Sequence, residues 1–142
     1  MKQIIVMDRD KAKRFSYGAH DFTSVIVSIN DTWDVLNPIA ANFVPNGIKA
    51  VCRLIFDDVE KGQPNCMTEK DAEKIAEFVH QWKDNVDVII VHCRAGVSRS
   101  AGVAAAISKH VFNDDNWVFD SPKYQPNMTC YRYTLEALYN KI

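Results

Sequence analysis

The chain has 142 residues, of which 47% are hydrophobic and 25% charged, and its formal net charge is −1. That length supports one folded domain over residues 1–142 with a real core. The near-neutral charge argues against a sequence-independent nucleic-acid binder, which needs a strong basic excess. No apolar run approaches bilayer length, and the one near Met1 is too short for a secretory signal, so a cytoplasmic protein with no membrane partner is expected.

In chain order, Lys2 to Met7 reads as a first strand and Thr23 to Ile29 as a second, with the charged stretch Asp8 to Arg14 as a loop between them. From Asp31 to Phe43, the apolar positions Trp33, Leu36, Ile39 and Ala40 have helical spacing, interrupted by Pro38. Pro45-Asn46-Gly47 is a turn before a third strand, Ile48 to Phe56, and a polar loop follows to Met67. Thr68, with Asp71 three residues on, marks a helix start. Ala72, Ile75, Ala76, Val79 and Trp82 then form its apolar stripe.

A fourth strand, Val86 to Val91, leads into His92-Cys93-Arg94-Ala95-Gly96-Val97-Ser98-Arg99-Ser100, and a small-residue helix runs on to about Phe112. A last helix is expected over Thr129 to Tyr139. The alternation of strands and helices predicts an α/β fold with a central, mainly parallel sheet flanked by helices. Sites in such sheets lie at the carboxyl ends of the strands, which is where Cys93 falls. The cysteines Cys52, Cys66, Cys93 and Cys130 lack CxxC pairing and read as reduced thiols, the three others as small core residues.

Five residues separate Cys93 from Arg99, across a turn that opens a helix. Such a turn aims backbone N–H groups at one point and suits a phosphate dianion. A thiol is a poor nucleophile at its free pKa; the inward amides, the positive helix end and Arg99 are the features that would ionise Cys93. Arg99 offers a planar fork for two phosphate oxygens. Gly96 suits a left-handed or closely approached backbone position, and Ser100 is placed to donate to the sulfur. His92 is expected to be buried and to order the loop, and Arg94 to be a solvated rim charge that attracts acidic substrates. Departure of the phosphate ester oxygen needs an acid, for which Asp57 and Asp58 at the end of the third strand are equal candidates on this reading. His20, His80 and His110 have no metal-ligand spacing. Trp33, Trp82 and Trp117 are expected in the core or at its edge, and Phe15 and Tyr17 are candidate pocket walls.

The run His92 to Ser100 resembles the signature of cysteine-dependent protein tyrosine phosphatases, and its Ala95-to-Ser100 part is similar to the dual-specificity branch. The resemblance implies the phosphatase II-like fold and a phosphocysteine intermediate on Cys93. It makes Arg94, Ala95, Gly96, Val97, Ser98 and Arg99 the phosphate-binding loop, with Ser100 assisting breakdown of the intermediate. Aligning Leu54 to Asp58 with the acid-bearing stretch of that branch puts the acid at Asp58, with Asp57 one place earlier and an insertion in the loop after it. Gln125-Pro126-Asn127 resembles the Pro-Asn before the last helix of that branch, where Asn127 would brace the loop.

The implied activity is hydrolysis of phosphotyrosine in proteins or peptides, with phosphoserine and phosphothreonine as further substrates, and without a cofactor or metal. The rivals are a phosphate-binding pseudophosphatase module and a phosphatase of inositol phosphates or RNA 5′ ends. A module without turnover usually lacks the cysteine, the arginine or the acid, and all three types are present. A sulfurtransferase loop of the rhodanese type has one residue fewer before its arginine.

Overall fold

The computed structural model describes residues 1–34 and 48–140. Its sheet has four strands, β1 (Gln3–Met7), β2 (Ser24–Asn30), β3 (Ile48–Ile55) and β4 (Val88–His92), in the order β1-β4-β2-β3. All three pairings are parallel. The helices are α1 (Arg9–Tyr17), α2 (Glu69–Trp82), α3 (Arg99–Phe112), α4 (Asn116–Phe119) and α5 (Met128–Asn140). This is the expected α/β architecture, with a sheet parallel throughout its described strands.

The central strands explain their own placement. β2 and β4 are apolar or small at nearly every position and are buried on both faces, as an inner parallel strand must be. One face of the sheet packs on α2, α3 and α5 through Val27, Ile89, Ile75, Ile107 and Leu138, all 0% exposed. The other face is thinner and packs Met7, Ile26 and Ile90 against Ala12 and Phe15 of α1.

Helix α3 runs through the centre of the thicker layer. Ten successive residues, Arg99 to Ser108, are buried. Their small side chains let it approach both the sheet and α5. A Cβ on Gly102 would lie 2.4 Å from the Asn127 carbonyl oxygen, so only glycine fits there. Helix α2 starts as expected: Thr68 accepts from the Asp71 amide while Asp71 accepts from the Thr68 amide. Ala72, Ile75, Ala76 and Val79 face the core.

Three expectations need correction, and one short helix is unanticipated. Asp8 to Arg14 is largely helix rather than loop. Asp8 caps α1 by accepting from the Lys11 amide at 2.7 Å. Only Ala12 and Ser16 are buried, so the charged residues form an exposed face that hides the helical period. Trp33 is 65% exposed and not a core residue; it lies in a 3-10 turn, Thr32–Asp34. The short helix α4, held by Val118 against Ala101 and Ala105, carries no capping or periodic signal long enough to read. Cys66 is only half-buried, unlike Cys52 and Cys130. The helical positions Leu36, Ile39 and Ala40 and the turn Pro45-Asn46-Gly47 lie outside the described residues.

Candidate active site

The carboxyl ends of the four parallel strands converge on one loop. β4 ends at His92, and Cys93 follows at 2% exposure. Gly96 adopts φ +70°, and a Cβ there would meet the Asp8 nitrogen at 2.7 Å and the Met7 carbonyl carbon at 2.8 Å. The loop therefore turns directly against the end of β1, and glycine is the residue that permits it. Its N–H donates to Cys93 Sγ at 3.3 Å, and the Ser100 hydroxyl lies 3.0 Å from the same sulfur. Because Ser100 is in the first turn of α3, the sulfur lies at the positive end of that helix.

Neighbouring segments hold the loop through its backbone. The Arg9 amide donates to the Arg94 carbonyl at 3.2 Å, Gln125 to Val97 at 3.0 Å and Asn127 to Ser98 at 3.0 Å. Below it, a polar chain replaces apolar packing. Ser28 pairs with His92 in the β2–β4 register, and its hydroxyl lies 2.6 Å from His92 Nε2. His92 Nδ1 faces the Cys93 carbonyl at 3.4 Å, which accepts only, so Nδ1 carries the proton and Nε2 accepts from Ser28. Burial pushes the His92 pKa down to about 4, so the ring is neutral near pH 7. His92 is thus buried beneath the loop, as expected.

Arg99 is buried to 4% exposure, not on the mouth of the loop. Nη1 donates to the Phe56 carbonyl at 2.7 Å, and Nη2 lies 2.8 Å from Asp31 Oδ1. Its Nε is buried without a hydrogen-bond partner among the described residues. An orphaned donor in that position suits an anion, because a buried donor left unmade is costly. Asp31 is the residue that sequence reasoning missed. It follows β2 directly, and a carboxylate just past the carboxyl end of an inner parallel strand was the available signal.

Arg94 is not simply a solvated rim charge. Its guanidinium carbon lies 4.3 Å from the Trp33 ring centroid, and its Nε is 3.7 Å from Asp31 Oδ2. The pocket over Cys93 has a volume of about 460 Å³ and is lined by Trp33, Arg94, Ala95, Ser98 and Arg99 with Asp31, Asp57 and Asp58. Phe15 and Tyr17 do not line it. Phe15 stacks on His20 instead, and Tyr17 points into solvent.

The two strand-end carboxylates differ in their partners. Asp57 accepts from the Thr32 amide at 2.9 Å and the Thr32 hydroxyl at 2.7 Å. These bonds hold its pKa below the ordinary carboxylate value. Asp58 faces the loop: Oδ1 accepts from the Ser98 hydroxyl at 2.7 Å and from Asn127 Nδ2 at 2.9 Å. Asn127 also caps α5 by accepting from the Cys130 amide at 3.0 Å. Asn127 therefore connects α5, the Cys93–Arg99 loop and Asp58.

Among the described residues no His, Cys, Asp and Glu are grouped to hold a metal, and no helix is long and apolar enough to cross a membrane. No protein-family model matches the sequence, and no curated protein matches it either. Solved structures do match over nearly the whole chain. Human DUSP28 is similar with a TM-score of 0.64 at 14% identity, covering 96% of this chain and 92% of its own. The human tyrosine phosphatase-like serine/threonine/tyrosine-interacting protein gives a TM-score of 0.63 at 18% identity, with 96% and 93% covered. The Cydia pomonella PTP-2 phosphatase gives 0.60 at 17% identity, with 96% and 86% covered. The chain has the fold of the cysteine-dependent tyrosine and dual-specificity phosphatases. In this phosphatase fold the Cys93 loop lies at the carboxyl ends of the parallel strands, where the pocket opens.

Proposed function

We propose that the protein is a phosphatase that hydrolyses phosphotyrosine in proteins or peptides through a phosphocysteine intermediate. The observation that carries this reading is the convergence on one pocket of the Cys93 sulfur, with two hydrogen-bond partners, and the unmatched Arg99 Nε.

In the first step Cys93 Sγ, as thiolate, attacks phosphorus. The S–P bond forms as the ester P–O bond breaks. Arg99 and the loop amides take up charge spread over the equatorial oxygens. Asp58, as the acid, gives its proton to the departing oxygen. In the second step Asp58, now a carboxylate, takes a proton from water as that water attacks phosphorus. The S–P bond breaks, inorganic phosphate leaves, and the Ser100 hydroxyl donates to the returning thiolate. Asp57 is the less suitable acid, since both its oxygens accept from Thr32.

An aryl ester is favoured by Trp33, whose exposed ring gives the mouth an aromatic wall against which a phenyl group can lie. Phosphoserine and phosphothreonine peptides, inositol phosphates and RNA 5′ ends are the competing substrates to compare. The test is aryl phosphate turnover by the wild type and by Cys93→Ser, with tungstate binding measured on both. Turnover that vanishes in the variant while tungstate still binds supports the mechanism. Tungstate binding without turnover in the wild type favours a binding module, and turnover that survives Cys93→Ser refutes the phosphocysteine step.

A further inference from the structure

Among the described residues, strand β1 is an outer strand and pairs only with β4. Gln3 donates its amide toward β4, to the Asp87 carbonyl at 3.3 Å. By strand alternation the backbone groups of Ile4 and Val6 point to the opposite side, away from the sheet. Both residues line a second cleft, of about 430 Å³. Lys11 of α1 borders it from one face of the sheet and Phe112 of α3 from the other. The cleft is therefore a slot between two helical layers with a strand edge as its floor. An additional strand would fill that shape.

The chemistry of the slot selects an occupant. Phe112, Trp117 and Tyr124 supply apolar wall, while Lys2, Lys11 and Lys123 supply the charge. Among the described residues no carboxylate lines it. Lys2 also reaches Asp87 at 4.0 Å, but its side chain is 84% exposed and free to exchange partners. The geometry points to this slot as a docking site for an extended, acidic segment of a partner protein, added as an outer strand beside β1. A second copy of the chain would set lysines against lysines. Single-stranded nucleic acid would answer the lysines and aromatics but could not match the alternating donors and acceptors of Ile4 and Val6.

The slot is separate from the Cys93 pocket, yet its far end approaches it. β1 runs parallel to β4, and its last residue, Met7, lies under Gly96 of the catalytic loop. An acidic segment docked there would hold its protein beside the pocket.

The test uses the full chain carrying Cys93→Ser, so that the outcome does not depend on turnover. A labelled, unphosphorylated peptide of alternating glutamate and valine is titrated by fluorescence anisotropy. Saturable, salt-sensitive binding is expected, and the Lys11→Glu/Lys123→Glu double variant should weaken it at least tenfold. N-methylating alternate peptide nitrogens should weaken it by a similar factor in one of the two registers, because strand addition needs those donors. In otherwise wild-type protein, the double variant should hydrolyse a small aryl phosphate at the unaltered rate. Equal binding by the double variant, or by both N-methylated peptides, overturns the proposal. So does tighter binding of single-stranded DNA than of the acidic peptide, or self-association in sedimentation that the peptide does not reverse.

Discussion

Asp31 Oδ1 lies 2.8 Å from Arg99 Nη2, and both side chains are almost fully buried. The pair fixes the guanidinium so that its Nε, rather than its Nη2, is left for a ligand. Removing one partner of a buried ion pair costs roughly 3–5 kcal/mol, because the other charge stays behind unpaired. Asp31→Asn should therefore lower the unfolding free energy by about that amount. It should also reduce kcat/KM for an aryl phosphate at least tenfold and weaken vanadate binding. Wild-type vanadate affinity in this variant would mean that the Phe56 carbonyl alone positions Arg99.

Asp58→Asn should slow aryl phosphate turnover by about two orders of magnitude, the usual contribution of a placed general acid. The loss should shrink for esters whose leaving group needs no proton, such as a dinitrophenyl phosphate. Asp57→Asn should keep the wild-type sensitivity to leaving group, since Asp57 serves to hold Thr32. The opposite pattern in a leaving-group series would transfer the acid role to Asp57.

Asp57 has a second, acid-range consequence. Its pKa is depressed in the folded state, so its bonds to Thr32 stabilise the fold above pH about 3.8, its ordinary value, and this is lost as pH falls through the lowered one. The stability difference between wild type and Asp57→Asn should thus be constant near neutrality and narrow only in strong acid. Urea melts at stepped pH would measure it.

His92 should make stability fall in a higher window. Its folded pKa is about 4 against an ordinary 6.5, so the unfolded chain binds the extra proton between those values. Stability should fall as pH drops from 6.5 to 4 and be flat for this group below that. The full effect is about 3 kcal/mol. His92→Asn should lose that dependence, and a variant with the wild-type slope between these limits would contradict a buried, neutral ring.

Gly102→Ala should connect packing to chemistry. Its new methyl would meet the Asn127 carbonyl at 2.4 Å and Cys130 Cβ at 3.1 Å, so the start of α5 must move. Overpacking of this kind costs roughly 1–3 kcal/mol. Because Asn127 also holds Asp58 at 2.9 Å, turnover should drop along with stability. A variant that melts early yet turns over normally would separate Asn127 from Asp58.

Much of the site was legible because its parts are local in sequence. Cys93, Gly96, Arg99 and Ser100 lie within eight residues, and a tight turn into a helix forces them around one point. The capping box at Thr68 and the apolar stripe of α2 were legible for the same reason. Helix α1 was not, since only Ala12 and Ser16 are buried and its charged face carries no period. Residue reading left Asp57 and Asp58 equal: they are adjacent at a strand end, and what separates them is contact with Thr32 on one side and with Ser98 and Asn127 on the other.

The order of residues by itself determined the alternating α/β arrangement, the loop from Cys93 to Arg99 and its place at the carboxyl end of a strand. These follow from hydrophobic pattern, turn chemistry and short spacing, which act between near neighbours. Tertiary structure alone decided that Asp31 grips Arg99, that Trp33 stands out at the mouth beside Arg94, and that Asn127 reaches Asp58. Those partners are 68, 61 and 69 residues apart in the chain, and they meet only because parallel strands bring their carboxyl ends to one side of the sheet.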